Sequence, residues 1–325
     1  MAVYTQLGAE TLSAFIAEFD VGALVSAKGI AEGVSNSNWL IETEGRTGGG
    51  ARFILTIYEQ RVEVEDLPVV LGLLDHLAEH DCPVPRTIHD RQNRAFRFHE
   101  GKALALIEYL PGVSVSEPTP QQARSVGAAM AKVHTAAADF APSRENGMGL
   151  PAWREFARAC GEEGLSSIHP ELGRLVEKEL RFLERHWPRD LPRSVIHADL
   201  FPDNVLMRGA EVTGLIDFYF ACNDITAYDV AVTHAAWCFD STGQRFDRAL
   251  SQALLGGYES IRPLSAAERE MLPVLARGAS MRFLMTRAYD WMNTPADALV
   301  TRKDPLAFAR RLEFYADPAN AGLFA

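Results

Sequence analysis

The chain is short of the features that mark oxidising, membrane-bound or nucleic-acid-binding proteins. It has only four cysteines in 325 residues, Cys82, Cys160, Cys222 and Cys238, and none lie in a C-x-x-C pair. Neither a zinc site nor a disulfide framework is expected, and a reducing cytoplasm fits. No run reaches the ~18 uninterrupted apolar residues that cross a bilayer. The start, Met1-Ala2-Val3-Tyr4 with Glu10, Glu18 and Asp20 following, lacks the basic opening and apolar core of an export signal. Positive charge is in deficit, with 32 Lys and Arg against 43 Asp and Glu and a net charge of -11. That balance argues against nucleic acid or an anionic membrane as the main partner. No internal repeat or low-complexity segment occurs. What is present, 47% hydrophobic and 23% charged residues, suits a soluble globular protein of about two domains.

Periodicity predicts a helix over 8–20, with Leu12, Phe15, Ile16 and Phe19 on one face, then an extended Leu24-Val25-Ser26-Ala27. Small and polar residues over 29–38 separate this from a strand at Trp39-Leu40-Ile41-Glu42-Thr43. Such a run meets phosphate through backbone N–H groups, here at Ser35, Asn36, Ser37 and Asn38; an ordinary hairpin turn is the equal alternative. The run Gly45-Arg46-Thr47-Gly48-Gly49-Gly50 lacks the Lys-Ser/Thr ending of a Walker loop and reads as a flexible turn. A strand over 52–58, a helix over 64–80 stopped by Pro83 and Pro85, and short strands near 87–88, 96–98 and 103–107 complete a strand-rich lobe. Glu108-Tyr109-Leu110-Pro111-Gly112 reads as a hinge whose backbone groups, at Glu108 and Leu110, are placed to meet an adenine edge. Beyond it helices dominate, over 121–137, 153–160, 171–186 and from 228 onward. His134 reads as a packing or capping histidine.

The chemistry lies in Val195-Ile196-His197-Ala198-Asp199-Leu200-Phe201-Pro202-Asp203-Asn204, followed by Gly214-Leu215-Ile216-Asp217-Phe218. An apolar pair delivers His197 and Asp199 to a strand end, and Pro202 keeps the next loop from becoming helix. Asn204 then opens a hairpin that turns at 208–211 and returns over 212–216. Pairing across it sets Asn204 opposite Asp217 to within about one residue, with Cβ atoms ~5 Å apart when directly opposed. One ion then bridges both, and their oxygens are the hard ligands suited to Mg²⁺. Asp199 is left to orient a hydroxyl. The order H-x-D-x-x-x-x-N before D-F is that of the protein-kinase catalytic loop and metal-binding Asp, although Tyr219 stands where Gly would follow. A core histidine at His197, a turn former at Asp199 and a strand-end cap at Asp217 are the bland alternative, which four such residues in this context make the weaker one.

With these residues in place, the chain resembles the aminoglycoside phosphotransferase and choline kinase superfamily over nearly its whole length, and within it the kinase-like homoserine kinases. The wider resemblance includes Asp224-Ile225-Thr226-Ala227-Tyr228-Asp229, similar to the family segment whose Asp, here Asp229, braces the catalytic loop. The narrower one rests on Val34-Ser35-Asn36-Ser37-Asn38-Trp39, Ile54-Leu55-Thr56-Ile57-Tyr58-Glu59, Tyr289-Asp290-Trp291-Met292-Asn293-Thr294-Pro295 and Thr301-Arg302-Lys303-Asp304-Pro305. The resemblance implies an α+β, bilobal protein-kinase-like fold. Residues 1–107 form an N-terminal antiparallel-sheet lobe with one main helix, 108–112 the hinge, and 113–325 a larger, mostly helical catalytic and acceptor lobe. It implies ATP and Mg²⁺ as cofactors, L-homoserine as acceptor, no nucleic-acid or membrane partner, and a cytoplasmic monomer or homodimer. Asp199 and His197 become catalytic residues, Asn204 and Asp217 metal ligands. Thr56 falls where many relatives carry a phosphate-binding lysine, a threonine that kinase-like homoserine kinases share; Arg61 and Lys28 are the nearby cations.

Charge bears on the acceptor. Between 277 and 304 stand Arg277, Arg282, Arg287, Arg302 and Lys303 against Asp290, Asp297 and Asp304, a local excess opposite to the overall bias. A polycationic aminoglycoside calls for an acidic cleft and choline for an aromatic cage; an amino acid needs both signs. Arg282 or Arg287 is expected on a carboxylate, and Arg287, Asp290 and Trp291 share a helical face. An intrahelical surface ion pair is the even alternative. A choline, ethanolamine or aminoglycoside kinase, and a weakly catalytic nucleotide-binding regulator, are the other functions weighed.

Overall fold

Runs of apolar residues buried on both faces of the pleat build the central strands of the first part of the chain. A computed structural model describes residues 5–30, 36–59, 63–294 and 302–324. Packing separates Met1–Gly112 together with Thr213–Tyr219 from Val113–Val212 together with Phe220–Ala325. In the first unit α1 (Ala9–Ile16), β1 (Leu24–Ile30), β2 (Asn36–Thr43), β3 (Ala51–Tyr58), α2 (Leu67–Glu79), β4 (Thr87–Ile88), β5 (Arg97–His99) and β6 (Lys102–Glu108) follow in order. The strands pair antiparallel as β1-β2-β3-β6-β4, with β5 also on β6. Ile41, Leu55, Ile57, Leu104 and Leu106 are buried with Leu12, Phe15 and Ile16 of α1 and with Phe19. Pleat alternation turns Thr56 and Tyr58 to the other face, where they are also buried.

Three expectations change here. Helix α1 stops at Ile16, short of the predicted 20, because Phe19 leaves it to form a β-bridge with Asp90. The predicted helix over 64–80 opens as a 3-10 turn, Val64–Asp66, and becomes α-helical at Leu67, with Pro68 in the first turn, where a missing N–H leaves no bond unmade. The polar run 29–38 is not one loop. Gly29 and Ile30 finish β1, while Asn36, Ser37 and Asn38 begin β2, opposite Tyr58, Ile57 and Thr56.

The second unit holds α3 (Pro120–Ala136), α4 (Leu150–Ile168), α5 (Leu172–His186), β7 (Arg193–Ile196), β8 (Val205–Arg208), β9 (Glu211–Leu215), β10 (Cys222–Ile225), α6 (Thr226–Trp237), α7 (Arg248–Glu259), α8 (Ala266–Asn293) and α9 (Leu306–Ala316). Strand β7 pairs antiparallel with β10, Ile196 opposite Cys222, and β8 pairs with β9 as the predicted hairpin. Every residue of α6 is buried, with α3, α7, α8 and the strands β7 and β10 against it. From Thr213 onward β9 groups with the first unit. The Leu215 N–H donates to the Pro83 carbonyl at 2.7 Å, and the Tyr219 ring meets Tyr58 edge-on at 5.4 Å. The expected lobe 113–325 is interrupted by this segment, which carries Asp217. Among the described residues no helix is long and apolar enough to cross a membrane.

Helices α3 and α7 touch backbone to backbone. A Cβ on Gly127 would lie 2.1 Å from the Leu254 carbonyl oxygen, and one on Gly257 would lie 1.9 Å from that of Arg124. No side chain can yield there, so Gly257→Ala is expected to destabilise the protein by about 1–3 kcal/mol. Gly72→Ala, in α2 with open space around it, should stabilise by up to about 1 kcal/mol. Thermal or urea midpoints that move alike for both variants would contradict this.

Candidate active site

Strand β7 ends at Ile196, and the chain then turns through His197, Ala198 and Asp199. Asp229, in the first turn of α6, holds that turn. Its Oδ2 accepts the His197 N–H at 2.8 Å and bonds His134 Nε2 at 3.0 Å, and its Oδ1 accepts the Ala198 N–H at 2.7 Å. Burial pushes the Asp229 carboxyl up, but the bond from His134, the charges of His134 and His197 and the backbone donor outweigh it and hold it below the ordinary value. His134 is a packing histidine, as read from the sequence, with its Nδ1 2.9 Å from the Tyr258 hydroxyl of α7.

Ala198 has φ 63, a conformation that an L-residue keeps only when its surroundings impose it. Asp229 grips its N–H, and Nη1 of Arg282 in α8 donates to its carbonyl. Arg282 is 2% exposed, its guanidinium over the rings of Phe283 at 4.8 Å and Phe220 at 5.3 Å. The expected contact with an acceptor carboxylate is therefore corrected: Arg282 shapes the turn. His197, expected to be catalytic, is buried, and its Nδ1 accepts the Asp199 N–H at 3.2 Å.

Asp199 is half-buried. Asn204 closes a 3-10 turn, Pro202–Asn204, with Pro202 at its start, instead of opening the strand. Its Nδ2 donates to the Asp199 carbonyl at 2.8 Å and to Asp199 Oδ2 at 3.3 Å. The structure thus brings Asp199 and Asn204 together, with the amide Oδ1 as the remaining donor to a hard cation. Asp217, exposed at φ 66, belongs to the segment grouped with the first unit.

In the first unit Thr56 Oγ1 donates to Asn38 Oδ1 at 2.9 Å. Burial and the Asp217 charge push the nearby Tyr219 phenol up to about 12, so it stays neutral. Ser37 points the other way. It is buried and donates to Glu59 Oε1 at 2.7 Å, and the same carboxylate takes Lys102 Nζ at 2.6 Å. Asn36 Oδ1 accepts the Glu59 N–H at 3.4 Å. Asn36 and Ser37 therefore knit the sheet and are not loop residues lying open to a phosphate. Lys28, exposed on β1 opposite Leu40, shares the Asn38–Thr56 face. Ser35 and Arg61 lie outside the described residues. Glu108 closes β6 with its N–H on the Arg86 carbonyl at 2.9 Å, and Leu110 follows two residues on.

Arg287, Asp290 and Trp291 have different surroundings. Asp290 and Trp291 are exposed, with Arg302 over the Trp291 ring at 5.9 Å. Arg287 leans toward α9, its Nη1 donating to the Asp304 carbonyl at 3.3 Å and its guanidinium 4.5 Å from the Phe308 centroid. Arg311, which sequence reasoning passed over, is 4% exposed and lies 4.3 Å from the same centroid. Its signal was an arginine at a core position of an amphipathic helix, three residues after Phe308 and one before Leu312.

Residues 26–264 match the family described as phosphotransferase enzyme family. A homoserine kinase of Azorhizobium caulinodans is 46% identical over 321 residues, spanning 99% of this chain and 98% of its own length. One of Gluconobacter oxydans is 48% identical over 319 residues, 97% of this chain and 98% of its own. Among solved structures, the amicoumacin kinase hAmiN in complex with AMP-PNP, Ca²⁺ and Ami has a TM-score of 0.70 at 15% identity, covering 95% of this chain and 94% of that one. A microcompartment-associated aminopropanol kinase gives 0.66 at 18%, covering 97% and 99%. The likeness shows the fold, an α+β kinase-like architecture as read from the sequence.

The depressed Asp229 carboxyl sets a pH dependence. A carboxylate whose folded pKa lies below its unfolded value of about 3.8 contributes stability that is present above that pH and lost as pH falls through the folded value. The stability gap between wild type and Asp229→Asn is therefore expected to be full above pH 5 and to narrow below about pH 4. A gap in unfolding midpoint that stays constant from pH 5 to about pH 2 would remove the ionised brace.

Proposed function

The chain belongs to the phosphotransferase enzyme family, and from that premise we propose that it transfers the γ-phosphoryl group of ATP to the side-chain hydroxyl of L-homoserine, giving O-phospho-L-homoserine. The observation that carries the acceptor is identity across almost the whole of both chains with proteins named homoserine kinase. The braced turn supports the chemistry.

Asp199 accepts a hydrogen bond from the acceptor hydroxyl, aims its lone pair at the γ-phosphorus and takes the proton as the new P–O bond forms. In a loose transition state the nucleophile is activated little, so positioning and charge dominate. Asn204 keeps the carboxylate in place through its bonds at 2.8 and 3.3 Å. Asn204 Oδ1 and the exposed Asp217 carboxylate are hard oxygen donors that fit Mg²⁺. A divalent ion bound by such donors would supply positive charge against the charge developing on the transferred group. Backbone groups at Glu108 and Leu110 read the adenine edge. Asn38 and Thr56 offer dipoles where many relatives carry lysine, and Lys28, with no ion pair among the described residues, is the cation on that face.

ADP release from Mg·ATP against homoserine, serine, threonine, choline, ethanolamine and kanamycin tests the reading. Homoserine should be turned over fastest, and faster turnover of choline or kanamycin would overturn it. Asp199→Asn should lower kcat 10²-fold or more, the usual order for a general base, with Mg·ATP affinity nearly unchanged. Calorimetry should show Asp217→Ala losing more Mg·ATP affinity than Asn204→Ala, since a carboxylate brings net charge and an amide only a dipole.

A further inference from the structure

Two arginines near the catalytic loop form no ion pair with a carboxylate among the described residues. Arg287 of α8 and Arg311 of α9 share the Phe308 ring, at 4.5 and 4.3 Å from its centroid. Among the described residues each makes one hydrogen bond, to a main-chain carbonyl: Arg287 to Asp304 at 3.3 Å, Arg311 to Asp240 at 2.8 Å. The Arg311 Nε is buried without a partner. Neighbouring carboxylates are engaged elsewhere, Asp203 with Lys303 at 3.5 Å and Asp304 with Arg310 at 3.7 Å. The ring belongs to a cluster that reaches the catalytic loop, since Phe201 packs on Phe283 at 4.7 Å and on Phe308 at 6.0 Å. Arg287 also feels the charge of Asp199.

Such a pair is unfavourable as it stands. Burial, and for Arg287 the charge of Arg311 as well, outweigh the charges of Asp304, Asp199 and Asp203 on Arg287 and of Tyr315 and Asp240 on Arg311 and pull both guanidiniums down to about 10. Two like charges held over one phenyl ring, with main-chain oxygens as their hydrogen-bond acceptors, are relieved by an anion. The other cations nearby are committed: Arg282 to the Ala198 carbonyl, Arg302 to the Thr294 carbonyl at 2.5 Å, and Lys303 to Asp203.

We propose that Arg287, with Arg311 beside it on the Phe308 ring, binds the carboxylate of the acceptor and makes the enzyme select an amino-acid alcohol over an alcohol without the acid. The assignment rests on the homoserine reading. Arg287, half-buried, makes the contact; Arg311, almost wholly buried, is a positioning residue that sets the charge and geometry behind it.

The test compares kcat/KM for homoserine and for homoserinol, in which a hydroxymethyl group replaces the carboxylate, in wild type, Arg287→Ala, Arg287→Lys and Arg311→Gln. Wild type should favour homoserine. Arg287→Ala should lose roughly 30- to 150-fold on homoserine, the value of a charge-assisted contact, with homoserinol little changed, so that the ratio approaches one. Arg287→Lys keeps a charge on the ring if the alanine variant does not fold, and should still lose most of the selectivity because an ammonium lacks the bidentate fork. Arg311→Gln should raise KM for homoserine more than it lowers kcat. A packing defect would instead depress both acceptors together. Retained selectivity in the Arg287 variants overturns the assignment, and so does a loss of Mg·ATP affinity in its place, which would put a nucleotide phosphate on these arginines. A wild type that phosphorylates no homoserine overturns the proposed function itself, and this assignment with it.

Discussion

The Asp229 carboxylate takes hydrogen bonds from groups far apart in the chain, the N–H groups of His197 and Ala198 and the ring of His134. A bond to an ionised group contributes about 1.5–3 kcal/mol, and a buried carboxylate stripped of its partners costs several. This is the interaction that makes the left-handed Ala198 tolerable, and Ala198 is what aims Asp199. Arg282 holds the same residue from its carbonyl side, so the turn is gripped by α6 and α8 together. Helix α6 is buried on all sides, which keeps Asp229 out of reach of water.

Packing far from Asp199 feeds into this brace. His134 lies on α3 and bonds the Tyr258 hydroxyl of α7, and those two helices meet at glycines whose missing side chains let the backbones touch. A wider crossing would move Tyr258 off His134 and leave the imidazole with one partner. In the first unit the corresponding economy is of charge: Thr56 and Asn38 satisfy each other, while Lys102 is held by Glu59 beside Thr5 and Ser37. The sheet face at Thr56 keeps polarity without a fixed cation.

What was legible in the sequence was local. The spacing of His197, Asp199 and Asn204, the hairpin after them and most helices depend on neighbours along the chain, while the bilobal kinase-like architecture came through resemblance. The role of Asp229 came through resemblance, because its partners lie in segments that periodicity cannot connect. Asn36, Ser37 and Asn38 read as a loop because nothing in their composition reveals Tyr58, Ile57 and Thr56 across the sheet. Arg282 and Arg287 lie five residues apart on one helix and read alike; their difference arises from Ala198 above one and Phe308 beside the other. Arg311 was missed because a buried arginine looks like a surface one until its helix is packed.

With Asp199 orienting the homoserine hydroxyl, transfer from ATP would be single and direct. The stereochemistry of the transferred group tests it most directly, using ATP whose γ-phosphorus is made chiral with oxygen isotopes. In-line displacement by the hydroxyl predicts inverted configuration in the O-phosphohomoserine formed. Retention would require two displacements through a phosphorylated enzyme, with Asp199 as the first nucleophile, and would contradict the role given to it here.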